Sequence, residues 1–164
     1  MKALTLHRPW QRAIMRYGKD IENRGWKPPN SLIGHRLAIH AGQQIDGAGI
    51  VRLMSILRGN KLAYAHDAQA LCGDPGEIVG TVSVLGWVFG DPGARGLMKW
   101  SSSFTDREAR DYLNSNWFSG PYGWVLRDFQ LLRNPIPCRG YQKLWNVPGE
   151  IEEAIRGQLA QSSA

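Results

Sequence analysis

At 164 residues the chain is long enough for one domain with a sizeable hydrophobic core. Hydrophobic residues at 43% and charged residues at 21% place it among ordinary globular proteins, and no apolar run approaches the ~18 residues that a membrane-spanning helix needs. Twenty Lys and Arg against fourteen Asp and Glu leave a net charge of +6, a balance that attracts polyanions, nucleic acid first among them.

The opening MKALTLHRPW is too polar for a secretory leader, so a cytoplasmic location is expected. Residues 3–6 read as a short strand. Pro9 suits the first turn of a helix, and Trp10, Ala13, Ile14 and Tyr17 fall at i, i+3, i+4 and i+7 along one face. Gly18 is placed to end that helix. The stretch GKDIENRGW follows, with Lys19, Asp20, Glu22 and Arg24 packed into nine residues that finish on Trp26. The alternation in residues 35–41 (HRLAIHA) predicts a strand with Leu37, Ile39 and Ala41 on one face and His40 on the more polar one.

Asp46 is placed to cap a second helix, whose stripe is Ile50, Leu53, Met54 and Leu57 and whose end is Gly59. Residues 60–76 look like a surface excursion. EIVGTVSVLGWVF, residues 77–89, predicts a long strand in which Gly80 and Gly86 mark bends or close backbone approach. A Gly/Ser-rich loop occupies 91–103. Thr105 with Glu108 forms a capping box that opens a third helix. Residues 122–126, 129–132 and 142–147 are strand-like, and 148–159 predicts a terminal helix. Irregularly spaced strands with helices inserted between them predict an α+β fold or a small barrel.

No cofactor or metal is expected. Cys72 and Cys138 stand far apart and form no CxxC pair, and the four histidines lack ligand spacing. Cys138, in an apolar IPC segment, reads as a small hydrophobe, and Cys72 as a loop thiol. IDGAG is not a nucleotide fingerprint and no Walker motif occurs.

Three groups of residues can carry chemistry. In an extended GKDIENRGW, Asp20, Glu22 and Arg24 share one side and Lys19 and Ile21 the other. This is either a solvated, internally paired face or one wall of a polar cleft, with Glu22 positioning the cations or accepting a proton. His40 is either a satisfied core histidine or, if the two strands pair, a neighbour that tunes Glu22. Ser119-Gly120-Pro121-Tyr122-Gly123-Trp124 is a glycine-rich turn flanked by aromatics, able to approach a base or simply to lead into a buried strand.

Taken together, HRPWQRAIMRYGKDIENRGW, RLAIHAG, EIVGTV, YGWVL, NPIPCRG and LWNVP resemble, in order, the signature blocks of the ASCH family, the activating signal cointegrator homology domains. The resemblance spans residues 3–148, with variable stretches at 59–76 and 90–116. It implies a PUA-like small β-barrel with flanking helices, as a single domain over residues 1–150 followed by a short helix or tail at 151–164. It further implies a cleft lined by Lys19, Glu22, Asn23 and Arg24, with His40 added from the AIHAG strand. Lys19 and Glu22 are the candidate catalytic pair. Asn23, Arg24, Trp26, His40, Ser119 and Tyr122 are the candidate binding residues.

Two positions depart from the pattern: Gln43 stands where many relatives carry a lysine, and Glu22 stands where a compact branch that hydrolyses N4-acetylcytidine has its threonine. Two functions follow from the resemblance and the charge. One is binding of single-stranded RNA or a modified nucleoside in a basic cleft. The other is hydrolysis of RNA or of an N4-acylated cytidine, with Lys19 stabilising an oxyanion and Glu22 moving protons.

Overall fold

The computed structural model describes residues 1–59, 68–90 and 97–161. In chain order the first elements are β1 (Lys2–Arg8), α1 (Trp10–Arg16), β2 (Ile21–Arg24), β3 (Arg36–Ile45), α2 (Gly47–Gly59) and α3 (Ala68–Cys72). They are followed by β4 (Glu77–Gly90), β5 (Met98–Trp100), α4 (Asp106–Leu113), β6 (Tyr122–Pro137), β7 (Leu144–Asn146) and α5 (Gly149–Gln161). The chain divides into two compact units. One, here the β1 unit, comprises Met1–Gly18, Leu37–Thr81 and Phe129 onward; the other, the β2 unit, comprises Lys19–Arg36 and Val82–Asp128. Strands β4 and β6 contribute residues to both.

In the β1 unit, β1 pairs in parallel with β3, Thr5 standing opposite His40, and antiparallel with β7, Ala3 standing opposite Trp145. Ala3, Ala38, Ile78, Leu132, Trp145, Val147 and Ile155 form its core. Helix α1 ends as its sequence dictates: the Tyr17 amide bonds to Ala13 O, and Gly18 takes φ +72°, a conformation that costs glycine little. Asp46 joins two helices. Its Oδ1 accepts from the Gly49 amide at 2.8 Å, capping α2, while its Oδ2 accepts from Trp10 Nε1 at 2.9 Å.

Two sequence expectations change here. Residues 37–42 of β3 are buried on both faces, so the alternation at 35–41 does not separate an inner from an outer side. Cys72 belongs to α3 and is 2% exposed, not a loop thiol, because the end of that short helix folds inward with Leu71. Gly80 meets its expectation: a Cβ there would lie 2.6 Å from Gln130 O and against the Met15 side chain.

In the β2 unit, β2 pairs antiparallel with β6 in the register Ile21 to Val125, Glu22 to Trp124, Asn23 to Gly123 and Arg24 to Tyr122. β4 pairs antiparallel with β5, a strand that emerges from the segment expected to be loop. Helix α4 opens on the anticipated capping box. The Thr105 amide donates to Glu108 Oε2 at 2.9 Å, and the Glu108 amide donates to Thr105 Oγ1 at 3.3 Å. Val88, Phe104, Ala109 and Val125 form the core of this unit.

Parallel and antiparallel pairings together with helices make the fold α+β. Among the described residues no helix is long and apolar enough to cross a membrane.

Candidate nucleic-acid interface

The charges of GKDIENRGW resolve into a buried ionic network on β2. Lys19 is only 2% exposed, and its Nζ donates to Glu22 Oε2 at 2.6 Å and to the Ile21 carbonyl. Glu22 Oε1 in turn stands 3.2 Å from Arg24 Nε. One carboxylate thus holds two cations, and burial strengthens each of these contacts relative to water. Asp20 sits differently. Its backbone carbonyl accepts from the Leu126 amide at 2.8 Å, while its carboxyl Oδ1 is buried with no hydrogen-bond partner among the described residues. Burial raises its pKa, against smaller lowering effects from its own backbone hydrogen bond and from Lys19.

Asn23 points to the opposite face from Glu22 and Arg24 and clamps a loop. Its Nδ2 donates to Trp117 O at 2.8 Å, and its Oδ1 accepts from the Ser119 amide at 2.9 Å. The side-chain amide has both capacities, so one residue satisfies a carbonyl and an amide two positions apart. Ser119 is therefore positioned through its backbone.

Trp26 packs edge-on against the fully buried Trp124, with ring centroids 4.7 Å apart, and its carbonyl accepts from Trp124 Nε1 at 2.9 Å. Trp26 is half-buried and holds the exit of β2 in place.

The register sets Arg24 directly opposite Tyr122, on the same face of the β2–β6 pair. The Tyr122 ring meets Phe89 with centroids at 4.8 Å and Trp87 at 5.8 Å. Trp87 and Phe89 alternate along β4 and therefore share a side of that strand. The Lys27 ammonium lies 5.9 Å from the Trp87 ring centroid, within the range of a cation–π contact. Trp87, Phe89 and Tyr122 are all half-buried, and Lys27 is exposed. The face thus carries three rings, Tyr122 touching both Trp87 and Phe89, with Lys27 over Trp87 and Arg24 across the register from Tyr122.

Sequence reasoning missed Trp87, Phe89 and Lys27. The two aromatics lie in a run of apolar residues that reads as core, and Lys27 falls just beyond the GKDIENRGW block. The usable signal is the 85–90 alternation, in which Leu85, Trp87 and Phe89 stay partly exposed while Gly86 and Val88 are buried.

His40 lies in the β1 unit. The hydrogen-bonded neighbour of β2 is β6, and β3 pairs with β1, so the strand pairing that would set His40 beside Glu22 does not form. His40 is 2% exposed, and its Nε2 lies 2.9 Å from the Cys138 carbonyl. A carbonyl only accepts, so Nε2 carries the proton and the neutral ring leaves Nδ1 as a lone-pair acceptor. That Nδ1 is buried with no hydrogen-bond partner among the described residues. Burial lowers the His40 pKa, against a smaller raising effect from the bond to Cys138. The ring stands edge-on to Trp145 at 5.7 Å, and Gly140 closes over it, leaving no room for a Cβ.

No family model matches the chain, and no curated protein does. Solved structures do. The ASCH protein from Zymomonas mobilis aligns at a TM-score of 0.50 and 16% identity, over 95% of this chain and 93% of that one. A tyrosine-to-phenylalanine mutant of the same protein aligns at 0.50 and 17% identity, over 95% and 96%. This likeness shows a fold. The chain has the ASCH fold, and the expected α+β class is borne out.

Proposed function

We propose that the chain binds single-stranded RNA or a modified nucleoside on the basic, aromatic face of the β2 unit. The observation that carries this reading is the contiguous set Trp87, Phe89 and Tyr122, with Lys27 over Trp87 and Arg24 opposite Tyr122. Half-exposed rings beside cations are what unstacked bases and their phosphates require. Base–aromatic stacking contributes about 1–3 kcal/mol per base and tolerates sequence variation, because every base has a π-face. The Lys19–Glu22 pair bears on that face through the Glu22–Arg24 ion pair.

A hydrolase is the second reading, with Lys19 as oxyanion donor and Glu22 as proton carrier. The commitment of Lys19 Nζ to Ile21 O and Glu22 weighs against it, since an oxyanion would have to break a buried pair. Asp20 favours it, because a carboxyl whose pKa is raised by burial next to a lysine suits general acid work.

Titration with a short single-stranded RNA across a salt series separates the readings. Binding that weakens with salt and releases no product supports the interface. Turnover of labelled RNA or N4-acetylcytidine that Asp20→Asn abolishes supports the hydrolase. Absence of both binding and turnover overturns each.

A further inference from the structure

We infer that the β1 unit carries a second, separate site, a groove that takes one nucleotide with its phosphate on Arg16 and Arg133 and its base amino edge on Glu77. The groove runs between α1, the start of β4 and the end of β6 and lies open to solvent along its mouth.

Three chemistries meet along its walls. Met15, Val79 and Leu131 supply an apolar floor, and Leu131 is 39% exposed, an uncovered leucine two residues before Arg133. Arg16 and Arg133 stand at the rim, both exposed and neither engaged in any hydrogen bond or ion pair among the described residues. Glu77 and Asp74 supply the acidic wall. Burial and the Asp74 charge raise the Glu77 pKa, against a smaller lowering by Arg12. Arg12 itself is spoken for, donating Nη1 to Ala70 O at 2.9 Å. Gln11 also lines the groove and is 1% exposed. Its Nε2 donates to Cys72 O at 2.5 Å, while its Oε1 has no partner among the described residues.

These walls reject simpler occupants. A plain apolar molecule leaves two arginines and two carboxylates unused, and an isolated anion meets the repulsion of Asp74 and Glu77. A polyamine meets the arginines. A nucleotide with an amino-bearing base answers all three: guanidinium groups on phosphate, an apolar floor under the ring, and carboxylate and amide oxygens accepting from the exocyclic amine. The source is either a nucleotide within a single strand or a free mononucleotide, and the chemistry is shared.

The site is independent of the Trp87–Tyr122 face. Residue-resolved NMR of the full chain tests it, with CMP, UMP and a short single-stranded RNA added in turn. CMP is expected to shift the resonances of Met15, Val79 and Leu131. Arg16→Ala combined with Arg133→Ala, both exposed and safe for folding, is expected to weaken that binding by at least about tenfold, in line with losing charge-assisted phosphate contacts. Glu77→Gln is expected to narrow the preference for CMP over UMP. Groove shifts with RNA alone place the nucleotide within a strand, and groove shifts with CMP alone make it a free ligand. No groove shifts with any probe, or shifts unaffected by the arginine changes, overturn the inference. Shifts confined to Trp87 and Tyr122 would overturn it while leaving the proposed RNA interface standing.

Discussion

Two buried polar centres, one in each unit, solve the same problem in opposite ways. At β2 charged groups are set against one another: Lys19 and Arg24 share Glu22 as ion-pair partner, and Lys19 has a backbone carbonyl as well. At β3 the imidazole of His40 gives up its charge, makes one bond to Cys138 O and leaves Nδ1 without a partner among the described residues. A buried ion pair is costly to assemble and costlier to break, since the surviving charge is stranded. A buried neutral histidine carries only the cost of its unpaired Nδ1 and becomes a larger liability when protonated. The first centre should therefore respond to mutation and the second to pH.

Glu22→Gln attacks the comparison hardest. It leaves Lys19 buried without its carboxylate and is expected to destabilise the protein by about 3–5 kcal/mol, read as a lowered denaturation midpoint. Changing Lys19 and Glu22 together to Met and Leu should cost less than Glu22→Gln alone. A double change as damaging as the single one would show that packing, not charge, dominates this centre.

Gly140→Ala drives a methyl group into the His40 ring. Overpacking of this kind costs about 1–3 kcal/mol, and the loss should shrink when His40 is itself reduced to Ala. Asn23→Ala removes both bonds to the 117–119 loop and is expected to cost about 1–2 kcal/mol, with faster amide exchange at Ser119.

The pH response is a smaller effect with a definite sign. His40 has a lowered folded pKa, so its contribution to stability is fully present above its ordinary value of 6.5 and is lost as pH falls below it. Asp20 runs the other way. With a raised folded pKa, its contribution is present below 3.8 and is lost as pH rises through its folded value. A chain carrying His40→Gln should lose the decline in stability just below pH 6.5, and one carrying Asp20→Asn should gain relative stability at neutral pH. A decline below pH 6.5 unchanged by His40→Gln would assign it to another group.

Much of the fold was legible because its punctuation is local. Gly18 closing α1, Asp46 capping α2 and the Thr105–Glu108 box opening α4 each act within a few residues, so sequence spacing carries them. What failed depended on partners distant in sequence. The 122–126 and 129–132 segments read as two strands because Asp128 interrupts the pattern. It takes φ +50°, and the strand continues through it to Pro137. The His40 face looked polar because alternation assumes one wet side, and β3 has none there.

At the candidate interface, the β2 residues were visible as a charged block. That Lys19 is spent inside a buried pair, and that Trp87, Phe89 and Lys27 gather around Tyr122, required the strand register.

The reading of the β2 unit as an RNA interface turns on Trp87 and Lys27. Affinity for a short single-stranded RNA, measured for the unaltered chain, Trp87→Ala and Lys27→Ala over a salt series, tests it most directly. The expected result is a loss of about 1–3 kcal/mol in binding for Trp87→Ala with its salt dependence retained, and a shallower salt slope for Lys27→Ala. Unaltered affinity and slope in both variants would contradict it.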